Sequence, residues 1–162
     1  MERAYFAGGC FWCISPVFRE VPGVLSVRSG YSGGAEADPV YEDVKHQRTG
    51  HRETIRVEYD EMAVSFAALL DIFLSHVDPF DGEGQFIDRG HSYTLAVYYT
   101  DEAQRSQTDS ALRCLEETSA RLSFVSIEPF TAFYDAEEYH QDYDLKNPEA
   151  FREELRSSGR IQ

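Results

Sequence analysis

Arg3-Ala4-Tyr5-Phe6-Ala7-Gly8-Gly9-Cys10-Phe11-Trp12-Cys13 is the stretch from which the rest of the chain can be read. Ala4 to Ala7 are apolar and read, with Arg3, as a short buried strand. Val17-Phe18-Arg19-Glu20, just beyond the stretch, reads as helix. Cys10 therefore falls where a strand ends, at or near the start of a helix. A cysteine there is a candidate nucleophile, because the field at a helix N-terminus favours thiolate over thiol. Two large aromatics flank it on one side, and Trp12 is the only tryptophan in the chain.

The helix start has two readings. Pro16 is tolerated in a first helical turn but not deeper. Either the helix begins near Trp12 or Cys13, or residues 10–13 form a loop and Ser15 caps a helix opening at Pro16. Pro22-Gly23 ends it. Residues 24–31 and 53–59 alternate apolar and polar and read as strands. Between them, residues 32–49 form a long Gly-, Asp- and Pro-rich loop with a short helix around Tyr41 to Lys45. Loops of that length are usually functional. Phe66, Leu69, Leu70 and Phe73 recur at helical spacing behind a Ser65 cap. Residues 78–90 are a second such loop and residues 93–99 an apolar strand. Thr100 is read as the cap of a long helix to about Arg121. Residues 124–128 read as strand, and the remainder as an aromatic, acidic and irregular C-terminal segment. This order predicts a single α+β domain over residues 1–162, a two-layer sandwich with a ferredoxin-like (split βαβ) core. The two long loops and the tail are expected to converge at one end of the sheet.

At 162 residues the chain can bury a core without disulfides or metal. Its 29 acidic against 15 basic residues leave a formal net charge of −14. That balance argues against nucleic acid and anionic membrane as partners, since both demand cationic patches. No signal peptide and no transmembrane stretch is read. Three cysteines are an odd count, and a reducing, cytoplasmic setting is the default.

Cys10 and Cys13 form C-x-x-C, which has three readings. The first is a pair of buried, inert thiols. The second is half of a zinc site, but no second C-x-x-C exists and the histidines at 46, 51, 76, 91 and 140 offer no matching pair; no metal is expected. The third, thiol redox chemistry, fits best. A general thiol–disulfide oxidoreductase places its motif in just this way. Phe11 and Trp12 are large for such a motif, however, and look more like the wall of a pocket for an apolar group.

Gly8-Gly9-Cys10-Phe11-Trp12 resembles the signature of the A-type peptide methionine sulfoxide reductases. Gly30-Tyr31-Ser32-Gly33-Gly34 is similar to their Gly-Tyr-x-Gly-Gly, and Asp38-Pro39-Val40-Tyr41 to their Asn-Pro-x-Tyr. Thr49-Gly50-His51-Arg52-Glu53 is similar to Thr-Gly-His-x-Glu, and Asp88-Arg89-Gly90-His91-Ser92-Tyr93 to Asp-x-Gly-x-x-Tyr. Residues 136–143 with Lys146-Asn147-Pro148 resemble the C-terminal motif. The likeness runs in order from about residue 4 to 148.

The resemblance implies reduction of methionine S-sulfoxide, free and in proteins, with no bound cofactor. Cys10 would attack the sulfoxide sulfur and become a sulfenic acid. Glu53, on a half-buried strand, would be the proton donor, its pKa raised by desolvation. Tyr41 and Tyr93 would donate hydrogen bonds to the sulfoxide oxygen. Phe11 and Trp12 would wall the methyl pocket, and Asp88 would accept the substrate backbone N–H. His140 would support the site from outside the catalytic set. Thioredoxin, glutaredoxin or a small thiol would return the electrons, and the protein would act as a monomer.

Three departures from the resembled pattern stand out. Residues 149–162 hold no cysteine, where many members carry resolving cysteines, so Cys13 or an external thiol would resolve the sulfenic acid. Ser15-Pro16 stands where a glutamate is frequent, an exchange expected to loosen the helix start. Thr94-Leu95 replaces Arg-Ser after Tyr93. Cys114, inside the long helix, reads as an inert packed thiol.

Overall fold

The structure, a computed structural model, describes residues 1–158 and 160. Its strands are β1 (Glu2–Gly8), β2 (Val24–Ser32), β3 (Arg52–Tyr59), β4 (Gly84–Gln85), β5 (Asp88–Arg89), β6 (Leu95–Tyr99), β7 (Ser126–Pro129) and β8 (Phe133–Asp135). Its helices are α1 (Phe11–Arg19), α2 (Tyr41–Lys45), α3 (Phe66–Ser75), α4 (Glu102–Ser119), α5 (Tyr143–Lys146) and α6 (Pro148–Ser158). Six strands form one mixed sheet in the order β7-β6-β1-β3-β2-β8. All neighbours are antiparallel except β6 and β7. β4 and β5 make a separate small hairpin.

The alternation of β1 sorts its side chains between two cores. Ala4 and Phe6 join Ile55, Val57, Leu95 and Val97 on the face covered by α1, α3 and α4. The Phe6 ring stacks on Phe18, Phe66 and Phe73 at centroid distances of 5.4, 6.0 and 5.0 Å. Tyr5 and Ala7 point the other way, with Ala96 and Tyr98, under Phe130 and Phe133. Tyr5 stacks on Phe130 at 4.1 Å. Both faces of the sheet are therefore covered, and the site lies at the end of the helix-covered face.

Several expectations change at the boundaries. Cys10 is the N-cap of α1, so the helix starts before Pro16, which sits inside it. Pro16 has no N–H for the Trp12 carbonyl, so this helix gives up one bond near its first turn. Asp101, not Thr100, caps α4: its carboxylate accepts from the Gln104 N–H at 2.8 Å, and Gln104 accepts in turn from the Thr100 N–H at 2.9 Å. A full negative charge at the helix start outcompetes the neutral hydroxyl. Tyr93 lies in a 3-10 turn, His91–Tyr93, ahead of the strand. The C-terminal segment is not irregular. It holds β8, a 3-10 turn (Glu138–His140), α5 and α6. Asn147-Pro148 opens α6, and Phe151 and Leu155 set its only apolar stripe, too thin a signal to stand out. Cys114 is exposed, not packed, because it sits on the solvent side of α4. Among the described residues no helix is long and apolar enough to cross a membrane.

Candidate functional site

β1 delivers the chain to Gly8, and Gly9 turns it with φ of 85°, a conformation that favours glycine. A Cβ on Gly9 would also lie 2.8 Å from Gln85 Cβ. This turn sets Cys10 at the start of α1, where the Cys13 N–H bonds to the Cys10 carbonyl at 3.1 Å. Both thiols are buried, Cys10 to 6% and Cys13 to 5% exposure. Pairing with the Cys13 thiol, then burial, then the charges of Cys13, Glu53 and Asp88 push the Cys10 thiol well above the ordinary cysteine range. The helix field that argues for a resting thiolate is thus outweighed, and Cys10 waits as a thiol.

Glu53 is the second residue of β3 and is 2% exposed. Its Oε1 accepts the Phe11 N–H at 3.1 Å. Burial pushes the carboxyl up to about 8, with the Asp88 charge adding to the shift and the Phe11 bond opposing it. At neutral pH the group is mostly a neutral acid. Tyr41 stands at the first position of α2 and Tyr93 at the end of the 3-10 turn. Burial first, and the charge of Glu53 next, raise both phenols, so each remains a hydrogen-bond donor.

The aromatic wall is built from both ends of the chain. The Trp12 ring stacks on Tyr143 at 3.8 Å and 7°, and its Nε1–H donates to His140 Nδ1 at 3.0 Å. His140 also meets Tyr41 at 4.2 Å, Tyr139 at 4.1 Å and Phe11 at 5.2 Å. Burial lowers its pKa to about 4, so the ring is neutral and Nδ1 is free to accept. Glu137 fastens the pieces together. Its Oε1 accepts from the Tyr31 hydroxyl and its Oε2 from the Tyr41 N–H, both at 2.9 Å.

Asp88, on β5, is half-buried, and burial raises its carboxyl. Its Oδ2 is buried with no hydrogen-bond partner among the described residues. Arg89 clamps the same hairpin by a two-pronged pair with Asp81 at 2.7 Å. Cys13, whose thiol pairs with that of Cys10, also lines a cavity of about 530 Å³ with Ile14, Val17, Val77, Phe151 and Arg160.

The structure thus brings Cys10, Phe11, Trp12, Tyr41, Glu53, Asp88 and Tyr93 to one end of the sheet, with the two long loops and the tail converging there. Residue reasoning passed over Glu137, Tyr139 and Tyr143 as site groups. Their one signal was membership of the C-terminal motif around His140. What the cluster offers is a buried thiol, a neutral carboxylic acid, two phenol donors, an aromatic wall and a carboxylate oxygen without a partner among the described residues.

A family model described as "Peptide methionine sulfoxide reductase" matches residues 2–161. The chain is 46% identical over 154 residues to the peptide methionine sulfoxide reductase MsrA of Streptococcus equi subsp. equi, covering 93% of this chain and 90% of the relative. It is 43% identical to the MsrA of Halalkalibacterium halodurans, covering 99% of this chain and 92% of that one. Among solved structures, reduced Mxr1 from Saccharomyces cerevisiae superposes with a TM-score of 0.86 at 28% identity, covering 91% and 86% of the two chains. Methionine sulfoxide reductase A of Corynebacterium diphtheriae superposes at 0.82 and 30%, covering 91% and 75%.

Proposed function

The chain belongs to the peptide methionine sulfoxide reductase family, and from that premise we propose how its residues divide the work. The protein is an oxidoreductase that reduces methionine sulfoxide and so repairs oxidised proteins. In our reading Cys10 Sγ attacks the sulfoxide sulfur while Glu53 hands its proton to the oxygen. Tyr41 and Tyr93 hold that oxygen as charge develops on it. The oxygen passes to Cys10, whose proton replaces the one lost by Glu53. Cys10 thiol and sulfoxide become Cys10 sulfenic acid and thioether, with two electrons moved from one sulfur to the other.

The observation that carries this reading is the buried Glu53 carboxyl, pushed up to about 8 and bonded to the amide of the residue after Cys10. An acid kept neutral at the nucleophile suits protonation of a departing oxygen, and hardly suits thiol–disulfide exchange. Phe11 and Trp12 wall the S-methyl pocket, and Oδ2 of Asp88, which has no partner among the described residues, accepts the substrate N–H. Substitution of Cys10 by Ser tests the assignment. Loss of all sulfoxide reduction is expected, and retained activity would overturn it.

Recycling proceeds through Cys13. Its thiol displaces water from the sulfenic acid and leaves a Cys10–Cys13 disulfide, which a dithiol then reduces. Adjacency on the first turn of α1 supports this, and so does the cavity that Cys13 lines. Thioredoxin is the reductant we favour; Mxr1 is known in complex with Trx2. Glutaredoxin and small thiols are further donors in the same reading. So are a preference for the S epimer, a monomeric state, no membrane partner and a cytoplasmic setting where such reductants are supplied. The order β6-β1-β3-β2 with antiparallel neighbours and α1 and α3 as crossovers supports a ferredoxin-like core. The family match over nearly the whole length supports one reductase domain.

A further inference from the structure

We infer that Arg52 is a positioning residue for the reduction step: from the far face of the sheet it sets the spacing between the Glu53 carboxyl and the Tyr93 hydroxyl. The assignment rests on the roles proposed above for Glu53 and Tyr93.

Side chains alternate across a strand. Ile55 and Val57 belong to the helix-side core, so Glu53 faces that side and Arg52 faces the other. Leu95 and Val97 are likewise helix-side, whereas Ala96 and Tyr98 belong to the opposite cluster. Thr94, extended just ahead of β6, shares a face with Ala96, Tyr98 and Arg52, and Tyr93, the last residue of the 3-10 turn, lies close enough to Glu53 to feel its charge.

The far-face pair is bonded. Arg52 is 8% exposed. Its Nε donates to Thr94 Oγ1 at 2.8 Å. Its Nη1 donates to the Tyr98 hydroxyl at 3.0 Å and to Glu128 Oε2 at 2.6 Å. The Thr94 hydroxyl donates onward to the His91 carbonyl at 2.7 Å, closing the turn that carries Tyr93. Two pairs of chain neighbours, 52–53 and 93–94, are thus tied through their far-face members. That tie limits how far the site-face members can move apart. β2 pairs with β3 along its length, Ser32 with Arg52 and Tyr31 with Glu53, and β1 pairs with residues 55–59, so the Nε contact is not needed to hold the strand in the sheet. What it adds is a link to the Tyr93 turn. Gln47, just beyond α2, ties the same turn through Ser92 at 2.8 and 3.0 Å. Lysine cannot replace the guanidinium here, because a single ammonium lacks a fork that serves Thr94 and Glu128 together.

Three variants of the full chain separate positioning from mere stability. Thr94→Val and Arg52→Lys break the link to the turn. Glu128→Gln weakens the ion pair and leaves the Nε–Thr94 bond. For Thr94→Val and Arg52→Lys, kcat on a methionine sulfoxide peptide should fall about tenfold, since small misplacements of catalytic groups are costly. KM should change by less than about twofold, as expected when an interaction acts only in the transition state. The alkaline limb of the pH–rate profile should move to lower pH, because a loosened turn admits water to Glu53. Glu128→Gln should lower Tm and leave kcat and that limb in place. The inference is overturned if the Thr94→Val and Arg52→Lys profiles superimpose on the parent's, whatever happens to Tm. It is equally overturned if Glu128→Gln moves the limb as far as Thr94→Val does. Glu53→Gln run in parallel keeps the two readings distinct. Full activity of that variant defeats the proton-donor role, and Arg52 is then judged on the split between kcat and KM alone.

Discussion

The main-chain N–H of Phe11 donates to Glu53 Oε1 at 3.1 Å, tying the first residue of α1 to a carboxyl on β3. The bond orients the acid beside Cys10 and partly offsets its burial. Glu53→Gln keeps an acceptor for Phe11 but has no proton to give. Its kcat should fall by roughly 10²–10⁴-fold, the usual span for a lost general acid. In the parent, kcat should decline as pH rises through about 8, where Glu53 loses its proton.

The same residue makes a stability prediction of opposite sense. Its folded pKa lies above its unfolded one, so the folded state holds the extra proton between about 4.5 and 8. Stability should therefore fall as pH rises across that window, by at most about 1.4 kcal/mol per pH unit. Glu53→Gln should remove this slope and raise Tm at neutral pH. Thermal melts of both proteins at several pH values check it, and parallel slopes would refute it.

Cys13→Ser should leave the first turnover intact and slow steady-state turnover with thioredoxin about tenfold or more, since a disulfide can no longer form on the enzyme. Mass spectrometry after one turnover without reductant should show a Cys10–Cys13 disulfide in the parent and a sulfenic acid in the variant. A sulfenic acid in both would assign recycling to an external thiol. Turnover of insulin disulfides with none of a sulfoxide would favour a thiol–disulfide oxidoreductase instead.

Tyr41→Phe and Tyr93→Phe should each lower kcat by about 10²- to 10³-fold, the range for removal of one oxyanion donor. The effect should appear in single-turnover rates. Unchanged rates for both would remove the phenols from the reaction.

His140 is held neutral by burial, with a pKa of about 4. The stability this contributes is full above the ordinary histidine value and is lost as pH falls from about 6.5 through 4. Protonation there also ends the acceptance of the Trp12 Nε1–H. NMR titration of the His140 ring should give a midpoint near 4, and KM for the sulfoxide should rise over the same range.

Much of this architecture was legible locally. Alternation placed β2 and β3, and the Ser65 hydroxyl does accept the Ala68 N–H at 3.0 Å. The motif residues were legible by resemblance, though resemblance alone assigns no contact. What escaped were features decided by long-range contact. Trp12 and His140 meet across 128 positions, and no local pattern announces such a pair. The Asp101 cap escaped because Thr100 is also a good cap and only the Gln104 bonds decide between them. Cys114 was misjudged because α4 has a narrow buried stripe, with Leu112 inside and Cys114 two positions round the helix.

Trp12 is the only indole in the chain, and it is stacked on Tyr143 and bonded to His140 within the proposed pocket. Fluorescence excited selectively from tryptophan therefore comes from this one position. The protein carries its own optical reporter: a shift in emission on adding sulfoxide, oxidant or reductant is reported from beside Cys10, with no label attached.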